Sequence, residues 1–218
     1  MLGITRSAAY TLEDMAGDAA GLLRHLGIEA AHVLGGSLGG MIAQTLAITR
    51  PDCVLSLASV MSTTGDPRVA RGRLRAGLTL LSKPPLDREG YVEHVVRSSR
   101  IIGSPGYVRD EDRLRERLRA GYDRGRDPLG ARRQLLAIAA SGDRTPALRR
   151  LSVPTVVIHG LDDPLVPPSA GRATAAAIPG ARLVEIPGMG HDLPRAVWPR
   201  VVDAVADNAA RATTVEGR

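Results

Sequence analysis

The sequence contains very few aromatic residues and only one cysteine. Aromatic side chains make up 2% of the 218 residues and phenylalanine is absent, so a core must be built from Leu, Val, Ile and Ala. The single cysteine, Cys53, excludes an internal disulfide and a metal site made of cysteine ligands. A chain of 218 residues is long enough for one domain with a full hydrophobic core.

Long apolar runs and targeting signals are also missing. No run approaches the roughly 18 apolar residues that a membrane-spanning helix requires. The first residues, Met1-Leu-Gly-Ile-Thr-Arg6, have neither the apolar core nor the small-residue cleavage site of a signal peptide. We therefore expect a cytoplasmic protein without a membrane partner.

The charge is unevenly distributed along the chain. The net charge is +6, the basic residues are almost all arginine, and well over half of them lie between residues 68 and 150. There they alternate with Asp and Glu, as in the segment RDEDRLRERLRAGYDRGRD (109–127), a pattern typical of solvated helix faces. No nucleic-acid motif or set of stacking aromatics accompanies them, so we do not expect nucleic acid as a partner.

The first helix has both a start and a stop signal. Thr11 followed by Asp14 predicts its N-terminus, and Gly27 is well placed to follow its C-terminus. The apolar periodicity predicts that one face of this helix contains Leu12, Met15, Ala19, Leu22, Leu23 and Leu26.

Short apolar runs alternate with helical patterns through the rest of the chain. Strands are predicted at 30–36, 54–60, 154–160 and 181–186, with helices after residue 37, over about 168–178, and over 196–212. This alternation predicts an α/β fold with a mostly parallel sheet flanked by helices. The charged helical stretch over 66–150 is predicted to be an inserted helical cap, leaving 1–65 and 151–218 as the core.

A lone serine lies among glycines directly after the first predicted strand. Gly35-Gly36-Ser37-Leu38-Gly39 fits the pattern G-x-S-x-G, which places a nucleophilic serine on a sharp strand-to-helix turn. The strained turn requires small residues two before and two after the serine, here Gly35 and Gly39, and the following helix directs its N–H groups at a developing oxyanion. The alternative is that Ser37 is an ordinary turn residue.

A nucleophilic serine needs a base, and the base needs an orienting carboxylate. Two later strands are followed by loops that contain a candidate carboxylate and a candidate base: Leu161-Asp-Asp-Pro164 and Pro187-Gly-Met-Gly-His-Asp192. The order Ser, Asp, His along the chain is that of an α/β-hydrolase. A turn aspartate and a loop histidine are the structural alternatives. We interpret the other histidines as structural or surface residues, namely His25, His32, His94 and His159.

No cofactor or metal ion is expected. No His, Asp and Glu cluster has the spacing of a metal site, and the glycine-rich turn lacks the lysine of a phosphate-binding loop.

These segments resemble the α/β-hydrolases of the proline iminopeptidase and esterase type. The resemblance is carried by YTLEDMAGDAAGLLRHLGIEAAHVLGGSLGGMIAQ (10–44), PTVVIHGLDDPLVP (154–167) and IPGMGHDLP (186–194). The segment VMSTTGDP (60–67), followed by an arginine-rich helical stretch, is similar to hydrolases near aclacinomycin methylesterase.

This resemblance assigns a role to each site residue. Ser37 is implied to be the nucleophile, His191 the general base and then acid, and Asp163 the carboxylate that orients the imidazole, with Asp162 its non-catalytic neighbour. The backbone N–H of Leu38 is implied to be one oxyanion donor.

The chain departs from this family at its N-terminal end. The family has four strands before the first helix, and a His-Gly loop among them that supplies the second oxyanion donor; only about ten residues precede that helix here. The family's Asp-Arg-Gly loop is also absent, although Thr5-Arg-Ser7 resembles a remnant of it. The strand at 30–36 should therefore have a bare edge. We expect either a shortened member that forms a homodimer through this edge, or a sequence that lacks its N-terminal part.

The sequence thus predicts a serine hydrolase that cleaves small-molecule carboxylic esters through an acyl-enzyme. The alternative from another class is a non-catalytic or weakly active fragment that acts by binding or dimerisation. A peptidase, thioesterase or lactonase would use the same three residues with a different cap.

Overall fold

Short parallel strands and longer helices alternate along the part of the chain that the computed structural model describes, residues 8–69 and 72–213. The strands are β1 (Ala31–Gly36), β2 (Val54–Val60), β3 (Thr155–Gly160) and β4 (Arg182–Ile186). The helices outside the predicted cap are α1 (Leu12–His25), α2 (Leu38–Thr49), α8 (Pro168–Ala177) and α9 (Trp198–Thr213), with 3-10 turns at Pro51–Cys53 and Arg195–Val197. The last helix within the predicted cap is α7 (Thr145–Leu148). Between β2 and α7 lie α3 (Leu74–Leu81), α4 (Arg88–Ile102), α5 (Glu111–Asp123) and α6 (Gly130–Ser141).

The four strands form one sheet in the order β1-β2-β3-β4, with every neighbouring pair parallel. The predicted α/β class and the positions of all four strands are therefore confirmed. Gly36 lies opposite Val60, and Gly160 lies opposite Ile186, so the carboxyl ends of the strands share one edge of the sheet. The loops that follow β1, β3 and β4 consequently meet at this edge.

Each face of the sheet buries a separate apolar cluster. One cluster packs α1, α2 and the end of α8 against residues such as Leu57. The other packs α9 against residues such as Ala58 and Val60. Adjacent residues of β2 enter different clusters because side chains alternate across a strand. Aliphatic residues fill the first cluster, and aliphatic residues with two methionines, Met61 and Met189, fill the second; neither has an aromatic side chain among its buried members.

Helix α1 begins as predicted but buries a different face. The Thr11 hydroxyl accepts from the Asp14 backbone N–H, and the Asp14 carboxylate accepts from the Thr11 N–H in a capping box. Gly27 follows the helix with φ +69°, which only glycine adopts easily. The buried residues of α1 are Leu12, Ala16 and Ala20. The expected burial of Leu22 and Leu26 is wrong, since these side chains are 58% and 59% exposed.

Helices α4 and α5 pack side by side and are joined by ion pairs. Four arginine–carboxylate pairs cross between them: Arg88–Asp123, Arg100–Glu111, Arg115–Glu93 and Arg119–Glu89. The ion pairs of α4 and α5 thus form mainly between the two helices rather than within one. Among the pairs of these two helices, Arg115–Glu111 has the i,i+4 spacing. Within residues 8–69 and 72–213, no helix is both long enough and apolar enough to cross a membrane.

Candidate active site

Ser37 occupies a strained turn between β1 and α2. Its backbone has φ 53° and ψ −117°, an unfavourable conformation for a residue with a side chain. The Ser37 N–H donates to the carbonyl of Val60 at 2.9 Å. The Ser37 carbonyl accepts from the Ser62 hydroxyl at 2.8 Å. These bonds hold the strained backbone against the end of β2.

The glycines around Ser37 differ in how tightly they are packed. A Cβ on Gly35 would lie 2.1 Å from the carbonyl oxygen of Gly39, so Gly35 must be glycine, as predicted. A Cβ on Gly39 would meet nothing within 4 Å, so the expectation that this position is sterically restricted is wrong. The tight position in α2 is Gly40, whose added Cβ would lie 2.6 Å from the Cβ of Ser62.

Ser37, His191 and Asp163 come together although they are far apart in sequence. The Oγ of Ser37 lies 2.8 Å from Nε2 of His191. The other ring nitrogen of His191, Nδ1, lies 2.7 Å from Oδ2 of Asp163. If Nδ1 donates to this carboxylate, Nε2 is left as an acceptor for the Ser37 hydroxyl. This is the arrangement needed to remove a proton from serine.

The two neighbouring aspartates have different partners. Asp163 is 4% exposed, and its second oxygen accepts backbone N–H groups of Leu165 and Val166, both at 2.9 Å. Asp162 instead accepts the backbone N–H of Gly188 at 2.8 Å. Asp163 therefore faces the imidazole, whereas Asp162 supports the turn that precedes His191.

The end of α4 is attached to the loop that carries His191. The His191 backbone N–H donates to the carbonyl of Ile102 at 2.7 Å. The next residue, Asp192, accepts the backbone N–H of Ser104 at 2.8 Å and also the Ser104 hydroxyl. The same hydroxyl oxygen accepts from the Gly190 N–H at 2.9 Å. The pairing of Ser104 with Asp192 could not be predicted from the sequence, because no motif indicates that their two segments meet.

His159 is a buried neighbour of the acid loop. Its Nε2 lies 2.9 Å from the carbonyl of Val166 and 3.8 Å from Oδ2 of Asp163. Burial lowers the pKa of His159, so the neutral ring is favoured, with Nε2–H donating to the carbonyl. This agrees with its interpretation as a structural residue. Its Nδ1 is buried without a hydrogen-bond partner among the described residues.

A buried arginine supports the segment behind Ser37. Arg144 donates to the carbonyl of Thr63 at 2.7 Å and to the side-chain oxygen of Gln44 at 3.3 Å. Burial lowers the pKa of Arg144 to about 10. Gln44 in turn donates to the Ser59 hydroxyl at 3.0 Å, so β2, α2 and the segment after α6 share one polar network.

Leu38 is the first residue of α2. The first N–H groups of a helix have no partner within the helix and attract negative charge, which fits the expected oxyanion donor. The role of the Leu38 N–H as an oxyanion donor stays a prediction. Over residues 8–69 and 72–213, no group of three His, Cys, Asp or Glu side chains could hold a metal ion.

Comparison with known proteins identifies the family to which the chain belongs. The family model for the α/β hydrolase fold matches residues 3–194, and the chain belongs to this family.

The chain is 32% identical over 225 residues to rhodomycin D methylesterase DnrP of Streptomyces peucetius, covering 94% of this chain and 75% of that enzyme. A thermophilic esterase from Thermogutta terrifontis is similar in structure, with a TM-score of 0.71, 26% identity, and coverage of 93% of this chain and 73% of the esterase. The enol-lactonase from Burkholderia xenovorans LB400 shares the fold, with a TM-score of 0.67, 24% identity, and coverage of 94% of this chain and 74% of that one.

Proposed function

We propose that the protein is a serine hydrolase that cleaves carboxylic esters, with Ser37 as the nucleophile, His191 as the general base and Asp163 as the orienting acid. The observation that carries the proposal is the hydrogen-bonded series from Ser37 Oγ to His191 Nε2, at 2.8 Å, and from His191 Nδ1 to Asp163, at 2.7 Å. Relatives named as a methylesterase and an esterase favour an ester over other acyl substrates.

The reaction would proceed in two halves. Ser37 Oγ attacks the acyl carbon while His191 Nε2 takes the hydroxyl proton. The tetrahedral intermediate collapses, the ester C–O bond breaks, and His191 returns the proton to the alcohol that leaves. Water then attacks the acyl-enzyme as His191 takes its proton. The acyl group departs as a carboxylic acid, and Ser37 recovers its hydrogen.

The surroundings of the three residues suit this chemistry. The buried Asp163 carboxylate stabilises the imidazolium that forms in each half-reaction. The N-terminus of α2, beginning at Leu38, would stabilise the oxyanion, and one such donor contributes roughly 3 kcal/mol to transition-state stabilisation.

Residues 66–150 would form a cap over this site and supply the walls of the substrate pocket. The bonds between the end of α4 and the His191 loop support that placement, because they attach this segment beside the catalytic histidine.

Hydrolysis of 4-nitrophenyl hexanoate by wild type and Ser37→Ala tests the proposal. We expect the variant to lose at least about 10⁴-fold in kcat, because the nucleophile is removed. Ser152→Ala is the matched control, since Ser152 is an exposed serine outside the site, and it should retain wild-type activity. Equal activity of wild type and Ser37→Ala would overturn the proposal.

A further inference from the structure

A cavity of about 480 Å³ lies beside the candidate active site and is lined by four arginines. Arg73 and Arg75 come from the start of α3, and Arg97 and Arg100 come from the last turns of α4. Ala76, Ile101 and Pro164 complete the lining, which contains no carboxylate. Arginines from two separate helical segments therefore line one cavity.

Two residues that line the cavity are chain neighbours of residues in or bonded to the candidate site. Pro164 directly follows Asp163, and its carbonyl accepts the Arg73 backbone N–H at 2.7 Å. Ile101 directly precedes Ile102, whose carbonyl accepts the N–H of His191. The cavity lining thus includes the residue after Asp163 and the residue before the one that binds the His191 backbone.

The charge in this cavity is only partly compensated. Arg100 forms an ion pair with Glu111 at 2.7 Å. Within residues 8–69 and 72–213, the side chains of Arg73, Arg75 and Arg97 make no hydrogen bond or ion pair. Glu93 on α4 is paired with Arg115 and also lies within electrostatic range of Arg97 and Arg100.

Like charges around one cavity repel each other, and a bound anion would relieve that repulsion. Guanidinium groups match carboxylates in shape and charge, often through two parallel hydrogen bonds. The apolar side chains of Ala76 and Ile101 suit an aliphatic stretch next to the charged group. An acyl chain that ends in a carboxylate has both features.

We propose that this arginine-lined cavity binds a carboxylate of the substrate, so that the enzyme prefers esters carrying a carboxylate to neutral esters of equal length. The inference rests on the proposed hydrolase function and specifies the substrate class of that site.

The test compares two esters with acyl chains of equal length, 4-nitrophenyl hexanoate and the mono-4-nitrophenyl ester of adipic acid, which differ in a terminal carboxylate. Wild type should have a higher kcat/KM for the adipate ester. Arg73→Gln and Arg97→Gln should each raise KM for that ester about tenfold, because a charge-assisted hydrogen bond is lost, and change kcat/KM for the hexanoate ester less than about twofold. High salt should weaken the preference for the adipate ester in wild type.

Arg117→Gln is the matched control, because Arg117 is an exposed arginine of α5 that does not line the cavity. It removes the same charge and should leave both esters unaffected. The inference is wrong if wild type does not prefer the adipate ester, or if Arg97→Gln and Arg117→Gln reduce its kcat/KM equally.

A failure of the hydrolase proposal would give a different result, with neither ester hydrolysed by wild type. Calorimetric titration with adipate then decides the inference independently of turnover. Saturable binding that is lost in Arg73→Gln and Arg97→Gln but kept in Arg117→Gln supports the anion site. Absence of binding to the wild type overturns it.

Discussion

The adjacent carboxylates of Asp162 and Asp163 have different hydrogen-bond partners, because neighbouring residues of the loop point in different directions. Asp163 turns inward to His191, and its other oxygen accepts two backbone N–H groups of its own loop. Asp162 bonds to Gly188 in the neighbouring loop. The structure therefore separates a carboxylate that could stabilise an imidazolium from one that stabilises a turn.

We expect Asp163→Asn to lower kcat by about 10⁴-fold, because an amide cannot hold the imidazole in the required tautomer or balance its positive charge. Asp162→Asn is the matched control and should lower kcat less than about tenfold, because only the support of one turn is weakened. Steady-state hydrolysis of 4-nitrophenyl hexanoate checks both values, with circular dichroism to confirm folding. A larger loss in Asp162→Asn than in Asp163→Asn would reverse the assignment.

The positions of Ser37, Asp163 and His191 were predictable from the sequence because each lies in a short segment after an apolar strand, and parallel strands end at one edge. The supporting residues were not predictable in this way. Ser62, Ser104 and Arg144 act through contacts across long sequence separations, and no local pattern marks them.

At the scale of the elements, α4 and α5 depend on each other through ion pairs. The Arg100 guanidinium lowers the pKa of Glu111 to about 2, well below its ordinary value of 4.5. A carboxylate whose pKa is lower in the folded protein contributes stability above its unfolded pKa. This contribution is lost as the pH falls from about 4.5 toward about 2.

We therefore expect Glu111→Gln to lower the thermal unfolding midpoint above pH 4.5, and this difference from wild type to disappear as the pH approaches 2. Glu116→Gln on the same helix is the control, since Glu116 is exposed and contributes no salt bridge to the α4–α5 pairing. Differential scanning calorimetry across this pH range measures the effect. A difference that is independent of pH would contradict the account.

The strand positions could be predicted to within about one residue. Each strand is a short continuous apolar run bounded by turn residues, which is the pattern of a strand in a parallel sheet covered by helices on both faces. The buried face of α1 could not be predicted in this way, because the spacing of apolar residues along the helix fits several faces. The neighbouring elements select Leu12, Ala16 and Ala20, and leave Leu22 and Leu26 exposed. Similarly, the arginines of α3 and α4 meet only because of how these helices pack.

At the scale of the whole molecule, β1 is an edge strand of the sheet. In the described part of the chain it pairs with β2 alone, so its other edge is unpaired. Leu34 on this strand is 51% exposed, and Leu22, Leu26 and Ile28 add further exposed apolar surface on and just after α1. Unpaired edges with apolar side chains recruit further strands.

We propose that a second copy of the chain pairs with this edge. Light scattering during size-exclusion chromatography should then give about twice the 23.0 kDa mass of one chain. Leu34→Lys should shift the protein to the monomer, because a charge on an edge strand opposes pairing. Leu129→Lys, which changes a leucine of similar exposure on the predicted cap segment, should leave the mass unchanged. A monomeric wild type would contradict the proposal.

The central claim, that Ser37 is an activated nucleophile, is tested most directly by mass spectrometry after treatment with a fluorophosphonate. We expect one covalent adduct, mapped to the peptide containing Ser37 and absent from Ser37→Ala and His191→Ala. An unmodified wild-type protein, or an adduct that persists in Ser37→Ala, would contradict it.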